Sequence, residues 1–133
     1  MIEFEIDTGK RNLPKRKIHV EIYEEQNASW RRNAGGGDVA GHFEPNAYLI
    51  NYGEDGQVER EVPEFIGTLR LLEDELGAGY LTHELFHGII SFADMCNMMD
   101  FTSNQEQEEL FAWEIGSWAA QFWTKWNEKN GSE

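Results

Sequence analysis

At Tyr80 the hydrophobic pattern of this 133-residue chain changes period. Upstream, Ile2, Phe4 and Ile6 alternate with Glu3, Glu5 and Asp7, and Ile18, Val20 and Ile22 alternate with polar neighbours, the two-residue repeat of strands with one wet face. Downstream, Leu81, Leu85, Ile89, Phe92 and Cys96 recur at three-to-four spacing, the repeat of a helix. A chain that runs first through strands and then through helices reads as α+β. Its length suits one domain, 1–133, with a strand-rich part over 1–76, a helix over about 80–98 and a second over about 105–128.

Two more strands are expected, Ala47 to Tyr52, closed by Gly53-Glu54-Asp55-Gly56, and Phe65 to Leu72 after Pro63. Leu69, Leu71, Leu72 and Leu76 would also suit the start of a helix; Gly67-Thr68, Gly77 and Gly79 favour the strand. Asn12-Leu13-Pro14 reads as a turn and Asn33 to Asp38 as a flexible loop. Its glycine run, Gly35 to Gly37, lacks the Lys-Ser/Thr pair of a phosphate loop. Phe86, Ile90 and Ala93 make the far side of the first helix apolar too, so it is expected to be buried nearly all round. On the last helix Phe111, Ile115, Trp118 and Phe122 form the dry stripe, and Glu114, Ser117, Gln121, Lys125 and Glu128 the wet one. The tail Asn130 to Glu133 is expected to fray.

With 25 acidic residues against 11 basic, a net charge of −14, the chain lacks the cationic surplus that binding to nucleic acid or anionic lipid needs. Lys10, Arg11, Lys15, Arg16 and Lys17 are read as a solvated cluster. Cys96 is the single cysteine, so no intrachain disulfide forms. Neither a secretion-signal pattern nor a stretch of about 18 apolar residues is present, and a cytoplasmic protein is the expectation.

Within the first helix stands Thr82-His83-Glu84-Leu85-Phe86-His87, an H-E-x-x-H sequence. Four residues make about one helical turn, so both imidazoles project from one face and grip one cation, and the intervening glutamate reaches a water on it. With 4 His and 19 Glu in 133 residues, chance places such a pattern in roughly 2% of chains of this composition. Neutral imidazoles suit zinc (Zn2+), which makes water acidic near pH 7, so that Glu84 takes its proton as it attacks an amide carbonyl.

A tetrahedral catalytic zinc takes a third protein ligand. Ile90 and Ala93 stand where the metzincin pattern has its glycine and its third ligand, and the other histidines, His19 and His42, lie upstream on or beside strands. A carboxylate of the last helix is the better source. Glu106, Glu108 and Glu109 open that helix, where acidic residues also suit the helix dipole. Glu109 shares a face with Ala112, Gly116 and Ala120, small residues that would admit a close approach of the His83/His87 helix. Glu108 aligns with Phe111, Ala112 and Ile115. Glu109 is favoured, then Glu108, then Glu106.

The strand-like segments followed by Gly79-Tyr-Leu-Thr-His-Glu-Leu-Phe-His87 and by Glu108-Glu-Leu-Phe-Ala-Trp-Glu-Ile-Gly116 resemble the minimal gluzincins, including small phage and prophage metallopeptidase-like proteins. The resemblance spans about residues 65–123. It implies a zincin-like fold, a small twisted sheet with an active-site helix beneath it and a C-terminal helix. It implies His83, His87 and Glu109 as zinc ligands and Glu84 as catalytic base, acting on a peptide or protein substrate. Zincins commonly hold an extended peptide along a sheet edge beside the metal, which makes Phe65 to Leu72 the candidate edge. His42, Tyr48 and Tyr80 are candidates for polarising a substrate carbonyl, each set against the plainer role of a partly buried ring with a satisfied polar tip. Nothing ties His19 to the metal.

A binding module of the same fold, such as a phage or prophage accessory protein with a structural zinc and no protease activity, is the alternative. The small size favours it, since little chain is left for a second wall of a substrate cleft. A metal-free structural domain with a chance motif is the third reading. Core packing explains most of the tryptophans of the last helix, with Trp123 and Trp126 as candidates for a self-association or partner surface, while Met95, Met98 and Met99 beside Cys96 read as core filling. The glycine run is long enough to cover the metal site.

Overall fold

A computed structural model describes residues 1–34, 41–47 and 49–130, leaving aside the side chains of Ala28 and Ala78. Gly35 to Gly37, Tyr48 and the end of the tail lie outside the described residues, and with them the expectations of a cover over the site, a Tyr48 contact and a frayed terminus.

The alternating segments form a four-stranded mixed sheet. Strands β1 (Ile2–Asp7), β2 (Lys17–Tyr23), β3 (Gly41–Pro45) and β6 (Phe65–Leu72) stand in the order β1-β2-β6-β3. β1 runs antiparallel to β2, β2 parallel to β6, and β3 antiparallel to β6. The intervening β4 (Leu49–Tyr52) and β5 (Val58–Glu61) pair, among the described residues, only with each other, in a hairpin exposed on both faces. Its base is tied to the body where the Arg60 guanidinium meets the Asn97 side chain. Phe65 to Leu72 is a strand as expected, and the strand expected at Ala47 to Tyr52 is present as β4, outside the main sheet. Three elements were not anticipated, β3, β5 and the short helix α1 (Ala28–Ala34), which Asn27 starts by accepting the Trp30 amide at 2.9 Å.

Helix α2 (Leu81–Met95) follows a π-helical turn over Leu76–Tyr80, and α3 (Gln105–Lys129) follows a 3-10 turn over Met99–Ser103. Asn97, at φ 57°, closes α2 in the left-handed conformation while the Met98 amide bonds back to the Ala93 carbonyl at 2.8 Å. Asn104 caps α3 by accepting the Gln107 amide at 3.2 Å. Both helices lie on one face of the sheet, α2 over β3 and β6 and α3 over β1. Phe4, Ile6, Ile18, Val20, Ile22, Phe43, Leu69 and Leu71 of the sheet meet Leu85, Ile89 and Phe92 of α2 and Phe111, Trp118, Phe122 and Trp126 of α3. The result is a mixed α and β architecture with a small sheet. Among the described residues no helix is long and apolar enough to cross a membrane.

Two side-chain expectations are corrected. α2 is not buried all round: Thr82, His83, Phe86 and His87 form an exposed face, with Phe86 57% exposed, because no element among the described residues covers that side. Glu114 is not on a wet stripe: it is 0% exposed, accepting the Gly9 amide at 2.9 Å, the Lys10 amide at 2.8 Å and the Trp118 indole N–H at 2.7 Å. The β1–β2 connection folds down onto α3 and supplies two of those donors. The basic cluster is partly engaged as well, with Arg11 4.1 Å above the Trp113 ring, Arg16 donating to the Val62 carbonyl and Lys17 paired with Glu5.

Candidate functional site

The i, i+4 spacing on α2 brings His83 and His87 together in the open. Their Nε2 atoms are 3.3 Å apart and the rings meet edge to face, 4.9 Å between centroids. Two nitrogens bound tetrahedrally at about 2.0–2.1 Å from one zinc would stand about 3.3–3.4 Å apart. The imidazole pair therefore fits such an ion without rearrangement of its spacing. His83 is 64% exposed on its side chain, so a ligand reaches the pair from solvent.

Glu84 turns the other way, toward the sheet. It is buried, with its Oε2 3.9 Å from His83 Nε2. It fits there because position 41 is glycine: a Cβ on Gly41 would come within 2.9 Å of Glu84 Cγ and 3.0 Å of Leu71 Cδ2. Gly88 serves the same approach one turn further along, since a Cβ there would lie 3.0 Å from the Phe43 ring. Two glycines facing each other's elements thus bring α2 and β3 close and set the Glu84 carboxylate against the sheet edge.

An open groove of about 660 Å³ runs between these elements, with Gly41, His42, Phe43 and Pro45 on one wall and Glu84, His87 and Ser91 on the other. Its strand wall is β3, not β6. The candidate edge Phe65 to Leu72 is hydrogen-bonded on both sides, to β2 and to β3, so it offers no free edge to a peptide. At the opposite end of the sheet, α3 engages the edge of β1: Gln121 accepts the Asp7 amide and donates to its carbonyl, both at 2.8 Å. β3 is the edge that borders the groove.

The third-ligand candidates are not brought to the pair. Glu106, Glu108 and Glu109 are exposed at the start of α3. Among the described residues the one set of three His, Cys, Asp or Glu ligand atoms all within 4.8 Å of one another is Glu3, His19 and Glu21, on the sheet. The close packing expected of the Glu109 face is corrected: Ala112, Gly116 and Ala120 are exposed, and a Cβ on Gly116 would meet nothing within 4 Å. α3 packs instead through Phe111, Trp118 and Phe122, with Phe92 of α2 6.3 Å from the Phe111 ring and 5.8 Å from that of Trp118.

Gly41 and Phe43 face α2, so alternation along β3 puts His42 with Glu44 on the opposite side of the sheet, where Glu44 pairs with Arg70 at 2.6 Å. His42 nonetheless lines the groove, and among the described residues its buried Nδ1 has no hydrogen-bond partner. Tyr80 is exposed just before α2. Trp123 is exposed while Trp126 is buried, which removes Trp126 from any association surface. Met95 is buried and Met98 packs on the core, while Met99 is exposed. Sequence reasoning missed Gly41, Phe43 and the β3 edge; the one local signal was the short alternation at Gly41-His42-Phe43.

No family model matches this chain. Comparisons with curated proteins and with solved structures likewise gave no significant match.

Proposed function

We propose that the chain is a zinc-dependent metallopeptidase of the minimal gluzincin type, a zincin-like α+β domain that hydrolyses peptide bonds of a peptide or protein substrate. The observation that carries this reading is the 3.3 Å separation of His83 Nε2 and His87 Nε2, the edge of a zinc coordination tetrahedron, with His87 on the wall of a groove that also holds Glu84. His83 and His87 hold the metal. Zinc, when bound, supplies Lewis acidity that lowers the pKa of water and polarises a carbonyl. Glu84 is the general base, which accepts the proton of the attacking water and returns it to the leaving amine. Its buried carboxylate is held against β3, so it meets the substrate in one fixed orientation. The β3 edge pairs with the backbone of an extended substrate lying in the groove.

Glu109 is the proposed third ligand, which requires its exposed carboxylate to come within reach of both imidazoles. Zinc content of Glu109→Ala beside Glu108→Ala checks it. Loss in Glu109→Ala assigns the ligand, loss in Glu108→Ala moves it by one residue, and retention in both leaves Glu106 as the remaining candidate of that helix. The groove, walled among the described residues by β3 and α2 alone, favours a second reading, a binding module with a structural zinc and no protease activity.

Cleavage of a broad peptide library by zinc-loaded protein decides between them. Glu84→Gln is expected to lose activity by about 10²-fold or more while keeping its zinc. Absence of cleavage by the wild type, or equal cleavage by Glu84→Gln, overturns the enzymatic reading.

A further inference from the structure

The face of the sheet away from α2 and α3 carries a second group of metal-binding side chains, independent of the α2 pair. Glu3 on β1 lies directly across from Glu21 on β2, and His19 is two residues before Glu21 on the same strand face. Two carboxylates placed opposite each other on an antiparallel pair repel. Here they converge on one ring nitrogen: His19 Nε2 is 3.1 Å from Glu3 Oε1 and 3.4 Å from Glu21 Oε2, and the three ligand atoms all lie within 4.8 Å of one another.

The arrangement is braced from behind. The other oxygen of Glu21, Oε1, accepts the Tyr23 hydroxyl at 2.8 Å and Arg70 Nε at 2.9 Å. Arg70 extends to Glu44 Oε1 at 2.6 Å, and the Tyr23 oxygen accepts from Asn33 Nδ2 at 3.0 Å. The His19 ring stands edge-on to Phe65, 6.5 Å between centroids. Glu21 is thereby held with Oε1 engaged and Oε2 turned toward His19, the kind of outer support that orients a ligating carboxylate.

We propose that Glu3, His19 and Glu21 form a divalent transition-metal site on the open face of the sheet, with one imidazole nitrogen and two carboxylate oxygens as donors. The two carboxylates balance a dication, and the imidazole selects a borderline ion such as zinc over calcium or magnesium, which prefer oxygen alone. The 3.1 and 3.4 Å separations suit donors at about 2.0–2.2 Å from one ion. Such an ion clasps β1 to β2 and relieves the Glu3–Glu21 repulsion.

The test is zinc titration by calorimetry of the full chain carrying His83→Ala and His87→Ala, which removes the α2 donors and leaves this cluster intact. One equivalent of zinc is expected to bind. Addition of His19→Ala, or of Glu3→Gln on the more exposed partner, is expected to weaken it more than about tenfold. Circular dichroism confirms that each variant is folded, and either variant alone suffices if the other is not. No uptake by the His83→Ala/His87→Ala chain, or uptake unaffected by the cluster substitution, overturns the proposal and leaves His19 as a hydrogen-bonding partner of the two carboxylates. Because the α2 donors are absent throughout, the result does not depend on the peptidase reading.

Discussion

On α2, His83 and His87 stand in solvent with their ring nitrogens 3.3 Å apart, whereas on α3 the Glu114 carboxylate is sealed from water and receives three N–H donors. Both helices carry ionisable groups in the interior of their sequence, and the difference between them separates a binding position from a structural one. A buried charge whose donors are all supplied by the fold has its role inside the fold. Two basic nitrogens facing each other at the edge of a groove have donor capacity left for a ligand.

The sharpest way to break this contrast is Glu114→Ala. It leaves the Gly9 and Lys10 amides and the Trp118 indole N–H without an acceptor, and each such loss costs about 1–3 kcal/mol. Denaturant unfolding is expected to show a destabilisation of about 3–5 kcal/mol, the range for stripping one side of a buried charged network. The exposed His83→Ala/His87→Ala pair is expected to stay within about 0.5 kcal/mol of the wild type in the absence of metal. Equal losses in the two variants would show that the imidazoles, too, are structural.

Zinc reverses the ranking. At a free concentration about 100 times its dissociation constant, an ion that binds only the folded state adds about 2.7 kcal/mol per site. The part of the zinc-dependent rise in melting temperature that His83→Ala/His87→Ala removes belongs to α2, and Glu114→Gln is expected to leave that part unchanged. A rise that survives removal of both imidazoles in full would assign none of it to α2.

What the sequence made legible was local. The His83, Glu84 and His87 spacing needs only one helix turn, and the turn is there. β1, β2, β6 and both long helices follow from periodicities within one segment. What it hid depends on residues distant in sequence. Glu114 falls in register with Ser117 and Gln121, and its burial is decided by amides more than a hundred residues earlier. β3 is five residues long, and its partner β6 defines it as a strand. Phe86 is apolar by type yet exposed, since helix periodicity does not reveal whether another element covers that face. The same limit applies to Glu109: its register with Ala112 and Gly116 is right, but that side of α3 faces solvent.

Glycines sharpen the comparison at smaller scale. A Cβ at Gly116 on α3 meets nothing within 4 Å, so Gly116→Ala gains the intrinsic helix preference of alanine, about 0.8–1 kcal/mol. At Gly88 on α2 the same atom would lie 3.0 Å from the Phe43 ring, so the gain is opposed by displacement of β3. Chemical denaturation is expected to rank Gly116→Ala above wild type and Gly88→Ala below Gly116→Ala. The reverse order would mean that α2 and β3 are not held in contact at the groove.

The smallest effect joins the two helices. Burial chiefly, and the Glu114 charge after it, push the Cys96 thiol at the end of α2 up to about 11, with Arg16 opposing. At neutral pH the folded protein therefore holds Cys96 as the unreactive thiol, and iodoacetamide is expected to modify it far more slowly than in the unfolded chain. The sign for stability follows from the same shift. Between the ordinary value of 9.0 and about 11 the unfolded chain has released this proton and the folded chain retains it, so this contribution is complete below pH 9 and is lost as pH rises through that window. Glu114→Gln removes the charge but leaves most of the burial, so the pH profile of alkylation is expected to move toward lower pH only in part. A profile that returns all the way to the ordinary cysteine range would mean that the carboxylate, rather than burial, governs the thiol, and that the electrostatic reach of Glu114 extends across the α2–α3 interface.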